Sequence, residues 1–280
     1  MSNSPVLVLG GTGKTGRRVA RRLTERGREA RIASRSGAQR FDWHDRETWA
    51  PAVEDVEAVY VVDEQGAESA RLLSEFAALA TGRGVRRLVL LSARTLEQWP
   101  ADSPIFAAEH AVRESGAQWT ILRPTWFAQN FSEDRLLRED VREGELVLPD
   151  WQGREPFVDA EDIAAVAVAA LTEDGHAGEV YALSGPRLMT FGDCADAIAA
   201  AAGRELRKVD ASREEYTEHL VRRGYPRDFG GFLNEIFDTI RRGETAYLSD
   251  GVQRALGRPP RDFSEYVAET SWEISGRNSG

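Results

Sequence analysis

The feature that most constrains this chain lies near its start. Val6-Leu7-Val8-Leu9 is a short apolar run ending in Gly10-Gly11-Thr12-Gly13-Lys14-Thr15-Gly16. Four consecutive apolar residues bounded by a turn predict a strand buried on both faces, as in a parallel sheet. Lys14 to Arg26 predicts a helix, with Val19, Ala20 and Leu23 as its inner stripe, Arg17, Arg18, Arg21, Arg22 and Arg26 around it, and Gly27 placed to stop it. The spacing Gly10-x-x-Gly13-x-x-Gly16 departs from G-x-G-x-x-G but keeps its physics. The first glycine permits the tight turn, the second lets backbone approach a pyrophosphate, and the third lets the helix pack on the strand. Free N–H groups and the helix dipole then attract the anion, which makes Gly10, Thr12, Gly13, Lys14, Thr15 and Gly16 candidate cofactor contacts. Gly13-Lys14-Thr15 also resembles the end of a P-loop. That motif needs a glycine where Val8 stands, so the turn is too short to wrap a triphosphate.

Further strands are expected at Ala30–Ala33, Ala58–Val62, Arg87–Leu91, Trp119–Leu122 and Val180–Leu183, with helices at Ser69–Gly82, Ile105–Ser115 and Ala160–Glu173. Strands alternating with helices predict βαβ crossovers, hence an α/β fold: a Rossmann-type, doubly wound parallel sheet. From about Thr190 the strand signal fades. Thr190-x-x-Asp193 and Ser212-x-x-Glu215 read as helix starts, and a mostly helical tail follows. The expected domains are residues 1–131 plus 155–183 for the cofactor, and 132–154 plus 184–280 as a smaller, mostly helical C-terminal substrate lobe.

The end of the second strand selects between coenzymes. A carboxylate there would grip the ribose 2′-hydroxyl of NAD. Ala33-Ser34-Arg35-Ser36 holds no acid. A guanidinium pairs with a 2′-phosphate, whereas a carboxylate repels it. Ser34, Arg35 and Ser36, with help from Lys14, therefore favour NADP(H). The alternative is that Arg35 is one more surface arginine in a chain where 34 of 36 basic residues are arginine.

The segments Val6–Gly16, Phe41-Asp42-Trp43, Trp119–Phe131, Phe157–Ile163 and Leu256–Phe263 together resemble the NmrA-like group of atypical short-chain dehydrogenases/reductases, including its ergot-alkaloid-type iminium reductases of secondary metabolism. The resemblance runs over most of the chain. It implies strand order 3-2-1-4-5-6 with a seventh strand and a C-terminal lobe over the nicotinamide. It also places Asp42 and Trp43 near the adenine, and Val62, Asp63, Ser92, Ala93 and Pro124 along the cofactor. Thr125, Trp126 and Phe127 would border nicotinamide and substrate, with Phe131 and Trp151 as further stacking faces. The alternative for each aromatic ring is ordinary packing.

The chain departs from this superfamily at the usual Tyr-x-x-x-Lys pair. Aligned on Glu109, those positions are Ala101 and Ile105, and no tyrosine lies between Tyr60 and Tyr181. Reducing a ketone needs an acid to protonate the alkoxide. An iminium ion, quinone or activated alkene makes a weaker demand, because the carbon is already electrophilic or the product anion is stabilised. The expectation is an NADPH-dependent oxidoreductase acting on a small electron-poor molecule. The alternatives are a non-catalytic NADP-binding regulator or redox sensor, and a non-redox epimerase or cyclase on the same scaffold.

Other constellations add little. His110 is the best stand-in acid, although a surface role competes. Asp63 reads either as a partner for a cationic substrate or as a helix cap. The pairs Glu133-Asp134 and Glu161-Asp162 read as solvated or capping groups. The four histidines show no metal spacing, no G-x-S-x-G elbow is present, and the single Cys194 reads as inert. A net charge of −10 argues against nucleic acid and anionic membranes as partners. The longest apolar stretch, Ile163–Leu171, is half a bilayer span. A cytoplasmic protein, monomer or homodimer, is expected, with a small-molecule substrate.

Overall fold

In the computed structural model the chain is described over residues 4–64, 66, 68–94 and 106–275. In chain order its elements begin β1 (Val6–Leu9), α1 (Gly16–Glu25), β2 (Ala30–Ser34), β3 (Gln39–Arg40), α2 (Trp49–Ala52), β4 (Ala58–Val61), α3 (Ser69–Gly82), β5 (Arg87–Leu91), α4 (Ala107–Arg113) and β6 (Gln118–Pro124). They continue with α5 (Arg135–Glu143), β7 (Glu145–Leu148), β8 (Arg154–Glu155), α6 (Ala160–Thr172), β9 (Glu179–Leu183), β10 (Met189–Thr190) and α7 (Phe191–Ala202). β11 (Arg207–Asp210), α8 (Arg213–Arg222), α9 (Arg227–Arg241), α10 (Gly251–Leu256) and α11 (Phe263–Glu269) complete the chain. Two compact units result: Met1–Pro124, Ala160–Leu183 and Ser249–Pro259 form the first, and Thr125–Asp159, Ser184–Leu248 and Pro260–Gly280 form the second.

The first unit is built on a seven-stranded sheet of order β3-β2-β1-β4-β5-β6-β9 with every pairing parallel. The Rossmann-type order expected from the resemblance is the one that forms. Leu7, Leu9, Val59, Val61, Leu88 and Leu90 share one core with Leu72 and Phe76 of α3. The alternate residues Val6, Val8, Ala58, Tyr60 and Val89 are equally buried. Both faces are therefore covered, which explains why these strands read as continuous apolar runs. Helix α6 packs on α1 and lies against β4, β5 and β6. Its apolar run is a core helix, and among the described residues no helix is long and apolar enough to cross a membrane.

The structure corrects two expectations here. Ser249–Pro259 does not join the rest of the tail, because α10 packs on β9 and α6 of the first unit. Gly251 sits so close to the sheet that a Cβ there would lie 2.1 Å from the Ala182 carbonyl oxygen. Glu161 and Asp162 are not solvated or mere caps. Asp162 is wholly buried and takes a hydrogen bond from Arg258 Nη2 at 2.7 Å, while Glu161 is gripped by Arg18, Arg21 and Arg22 of α1.

In the second unit, α7 and α8 begin with the capping boxes that Thr190/Asp193 and Ser212/Glu215 predicted. A third capping box, Asp262/Glu265, starts α11. β7 pairs parallel with β11, and β8 pairs antiparallel with β10. Strand β11, Arg207-Lys208-Val209-Asp210, was not expected; it is polar and mostly exposed, so its register against β7 defines it, not its hydrophobicity. Phe131, Phe157, Phe191 and Phe263 form the centre of this unit's core.

Arg258→Ala removes a guanidinium from a buried carboxylate, and such a deletion costs about 3 kcal/mol. Urea denaturation followed by circular dichroism is expected to show the midpoint fall accordingly, while Arg86→Ala, at an exposed guanidinium, leaves it nearly unchanged.

Candidate functional site

Because the strands of the first sheet run parallel, their carboxyl ends share one edge. The order reverses at β1 and β4, and in open α/β sheets the ligand crevice lies at that point. Gly10 ends β1 with φ +63, a left-handed conformation that glycine adopts without strain. The Gly13 N–H donates to the Gly10 carbonyl at 2.9 Å and closes the turn. Gly16 opens α1 against that same carbonyl, and a Cβ at Gly16 would come within 2.3 Å of its oxygen. At Gly13 a Cβ meets only the Gly10 oxygen, at 3.2 Å, so the space over the turn is open to a ligand. Thr15 makes no side-chain capping bond and the first turn of α1 carries no acid, which leaves the positive helix end available to an anion. On these observations the turn has room for a diphosphate. Thr12 is exposed and Lys14 half-buried beside it.

At the end of β2, Ser34 is half-buried while Arg35 and Ser36 are exposed. The flanking arginines are engaged: Arg31 donates to the carbonyls of Ala52 and Glu54, and Arg40 pairs with Asp45. Among the described residues Arg35 has no hydrogen bond or ion pair.

Trp43 Nε1 donates to the Val62 carbonyl at 3.2 Å, joining the loop after β3 to the end of β4. Its ring stands edge-on to Phe41 and Phe76. The Asp42 carboxylate accepts from the His44 N–H within its own turn. Asp63 accepts from the hydroxyl of Ser69, first residue of α3, at 2.5 Å, a side-chain bond and not a helix cap, since the N-cap of α3 is Glu68.

Ser92 follows β5, and its N–H donates to the Leu122 carbonyl, with Ala93 half-buried beside it and Pro124 buried at the end of β6. The Ser92 hydroxyl donates to Glu109 Oε1 at 2.6 Å. Arg123 of β6 clamps the same carboxylate through Nε at 2.9 Å and Nη2 at 2.7 Å. Burial by itself would raise the Glu109 carboxyl, but the bonds from Arg123 and Ser92 prevail and hold it below its usual range. This buried cluster gave no sequence signal beyond Glu109 as an alignment marker. His110 is exposed on α4 next to it. Ala101 and Ile105 lie outside the described residues.

Within the first unit the phenols do not replace the missing acid. Tyr60 is wholly buried, and burial pushes its phenol far above the neutral range. Tyr181 is buried, raised by the same cause, and hydrogen-bonded to His176 Nδ1 at 2.8 Å.

In the second unit, Thr125 donates its hydroxyl to the Pro156 carbonyl at 2.7 Å, and the backbones of Phe127 and Val158 bridge. Trp126 is half-buried against Phe191 and Phe237, and Phe127 is half-buried as well. Phe131 is a core ring: it is wholly buried and surrounded by Phe157, Phe191 and Phe263, so its faces are already occupied. Trp151 is also buried, and among the described residues its indole N–H has no acceptor. Burial raises the thiol of Cys194 well above its usual range, in keeping with an inert side chain.

Residues 10–174 match a protein family described as NAD(P)H-binding. An oxidoreductase of Bacillus subtilis is 34% identical, with 96% of each chain covered. Festuclavine synthase II of Penicillium roqueforti is 32% identical over 94% of this chain and 97% of its own. An NAD(P)H azoreductase of Xenophilus azovorans is 31% identical over 94% and 96%. Among solved structures, the Citrobacter sp. triphenylmethane reductase complexed with NADP(H) shares the fold, with a TM-score of 0.70 and 23% identity over 94% of this chain and 98% of that one.

Gly13→Val is expected to weaken coenzyme binding about 100-fold by calorimetry while lowering the thermal midpoint less than Gly16→Ala does, since its Cβ meets one backbone oxygen at 3.2 Å and otherwise fills the ligand's space. Gly16→Ala strikes a carbonyl and is expected to destabilise the protein itself by several °C. For Glu109 the sign follows from its lowered carboxyl: the stabilisation is present at neutral pH and is lost as pH falls through the folded-state value. Glu109→Gln should lower the melting temperature by about 5 °C at pH 7, with the gap to the parent closing below roughly pH 4.

Proposed function

We propose that this chain, which belongs to the NAD(P)H-binding family, is an NADPH-dependent reductase of small, electron-poor conjugated acceptors. Family membership and the relatives make it an NAD(P)H-dependent oxidoreductase. The choice of NADPH and of acceptor class is our reading. The observation that carries it is the unpaired Arg35 between two serines at the end of β2, with no carboxylate beside it. In a protein where most guanidinium groups are engaged by carboxylates or carbonyls, a disengaged one at this edge suits a 2′-phosphate.

The acceptor class rests on the absent acid. Bound at this edge, a reduced nicotinamide supplies a hydride, that is, two electrons with one proton. An iminium carbon that takes a hydride becomes a neutral amine with no further proton. A quinone, azo group or activated alkene takes the hydride and then a proton from water. Ser92 is already donating to Glu109, and Tyr60 is wholly buried. The protein's part is therefore binding and orientation. The Gly10–Gly16 turn would hold the diphosphate, Asp42 and Trp43 would lie near the adenine, and Val62, Asp63, Ser92, Ala93 and Pro124 would line the rest of the coenzyme. Trp126 and Phe127, which follow β6 by two and three residues, are the rings we assign to the acceptor, with Thr125 beside them. The azoreductase and the triphenylmethane reductase are named for conjugated acceptors of this kind, which supports the reading.

The test is oxidation of NADPH followed at its near-ultraviolet band against iminium, quinone, azo and triarylmethane acceptors. Saturable turnover with at least one class is expected. Tight binding without turnover on any of them would replace this reading with a non-catalytic regulator. Arg35→Asp is expected to weaken NADPH by about 100-fold and NADH by less than about threefold; an equal loss for both would remove the argument for NADPH.

A further inference from the structure

Glu161 opens the first turn of α6 and is nearly buried, with only 14% of its side chain exposed. Three arginines of α1 converge on it. Arg18 Nε lies 3.0 Å from Oε1, Arg21 Nη2 lies 2.6 Å from Oε2, and Arg22 Nη2 lies 2.7 Å from Oε2. Burial would raise this carboxyl, but the bonds from Arg21 and Arg22 outweigh it and hold it below its usual range, so it stays ionised. One carboxylate facing three guanidinium groups is more than helix pairing requires. Arg26 and Glu173, each one residue past the C-terminal end of α1 and α6, already link these helices by an exposed pair.

Arg18 differs from the other two. Besides Glu161 it reaches back one turn, and its Nη1 donates to the Lys14 carbonyl at 2.8 Å. Lys14 belongs to the glycine turn, one residue before the helix cap. Arg18 is itself largely buried, with 14% of its side chain exposed. A long flexible side chain held at both ends loses its rotamer freedom once, on folding, and not again on binding.

We propose that Glu161 is a positioning residue for the coenzyme: it fixes Arg18, and Arg18 fixes the Lys14 carbonyl and so the backbone of the turn that receives the diphosphate. This rests on the nicotinamide coenzyme occupying that turn but not on the choice of NADPH over NADH, because the diphosphate is common to both. Glu161 does not touch the coenzyme in this account. It keeps the turn in its binding shape, so its loss lowers affinity and leaves the chemistry of the bound complex alone.

The test is a fluorescence titration of the full-length protein with NADPH and, separately, NADH, without acceptor. Glu161→Gln is expected to raise both dissociation constants about tenfold, by the same factor. In turnover, KM for the coenzyme should rise with kcat unchanged. Arg18→Gln should reproduce the loss, and the double variant should lose no more than either alone. Arg26→Gln, which cuts the other pair between α1 and α6, should bind as the parent does. The proposal is overturned if Glu161→Gln binds within twofold of the parent, if Arg26→Gln matches its loss, or if the two losses multiply in the double variant. Should Glu161→Gln fail to fold, Arg18→Lys decides alone: an ammonium cannot span both partners, so binding at parental strength would overturn the relay. Loss of the NADPH preference without loss of this effect would overturn the Arg35 reading only.

Discussion

The contact between Gly16 and the Gly10 carbonyl is the constraint on which the rest of the first unit depends. No side chain fits between them, since a Cβ would lie 2.3 Å from the oxygen. That approach seats the start of α1 directly on the end of β1, with no side-chain cap on the helix and open space above Gly13. Every other candidate contact at this edge, from Arg35 to Ser92, is placed by a parallel strand whose register is measured from β1 or its neighbours.

Much of this unit was legible because its signals are local. A strand buried on both faces must be apolar, and β1, β4 and the Leu88–Leu91 stretch of β5 are. Helix α3 falls at the predicted residues, Ser69–Gly82, and the capping boxes of α7 and α8 announce themselves through residues three apart. Signals that depend on distant partners did not show. β11 is a strand only because β7 lies beside it. Phe131 looked like a stacking face because nothing in the sequence reveals that three other phenylalanines surround it. Glu161 and Asp162 looked like surface acids because their partners are 139 or more residues away for Glu161 and 96 for Asp162.

Those acids also show how the chain uses arginine. Asp159 and Asp162, three residues apart, meet Arg261 and Arg258, which are also three apart. The segments Phe157–Ile163 and Leu256–Phe263 thus each contribute one partner to an ion pair in the first unit and one to an ion pair in the second. A guanidinium has a fixed fork that lysine lacks, and it can satisfy a buried carboxylate from one direction while its stem packs below. The scarcity of lysine has a structural correlate here: arginines at buried acids tie together distant parts of the chain within each unit.

The first unit draws its last piece, Ser249–Pro259, from near the far end of the chain. During synthesis the strands β1 to β6 leave the ribosome long before α10 does. Until then β9 lacks the helix that covers it, and the carbonyl of Ala182 waits for Gly251. A domain that looks N-terminal on paper therefore cannot finish folding until Ser249–Pro259 has been translated, after most of the second unit, and a nascent chain must keep an incomplete sheet from aggregating in the meantime.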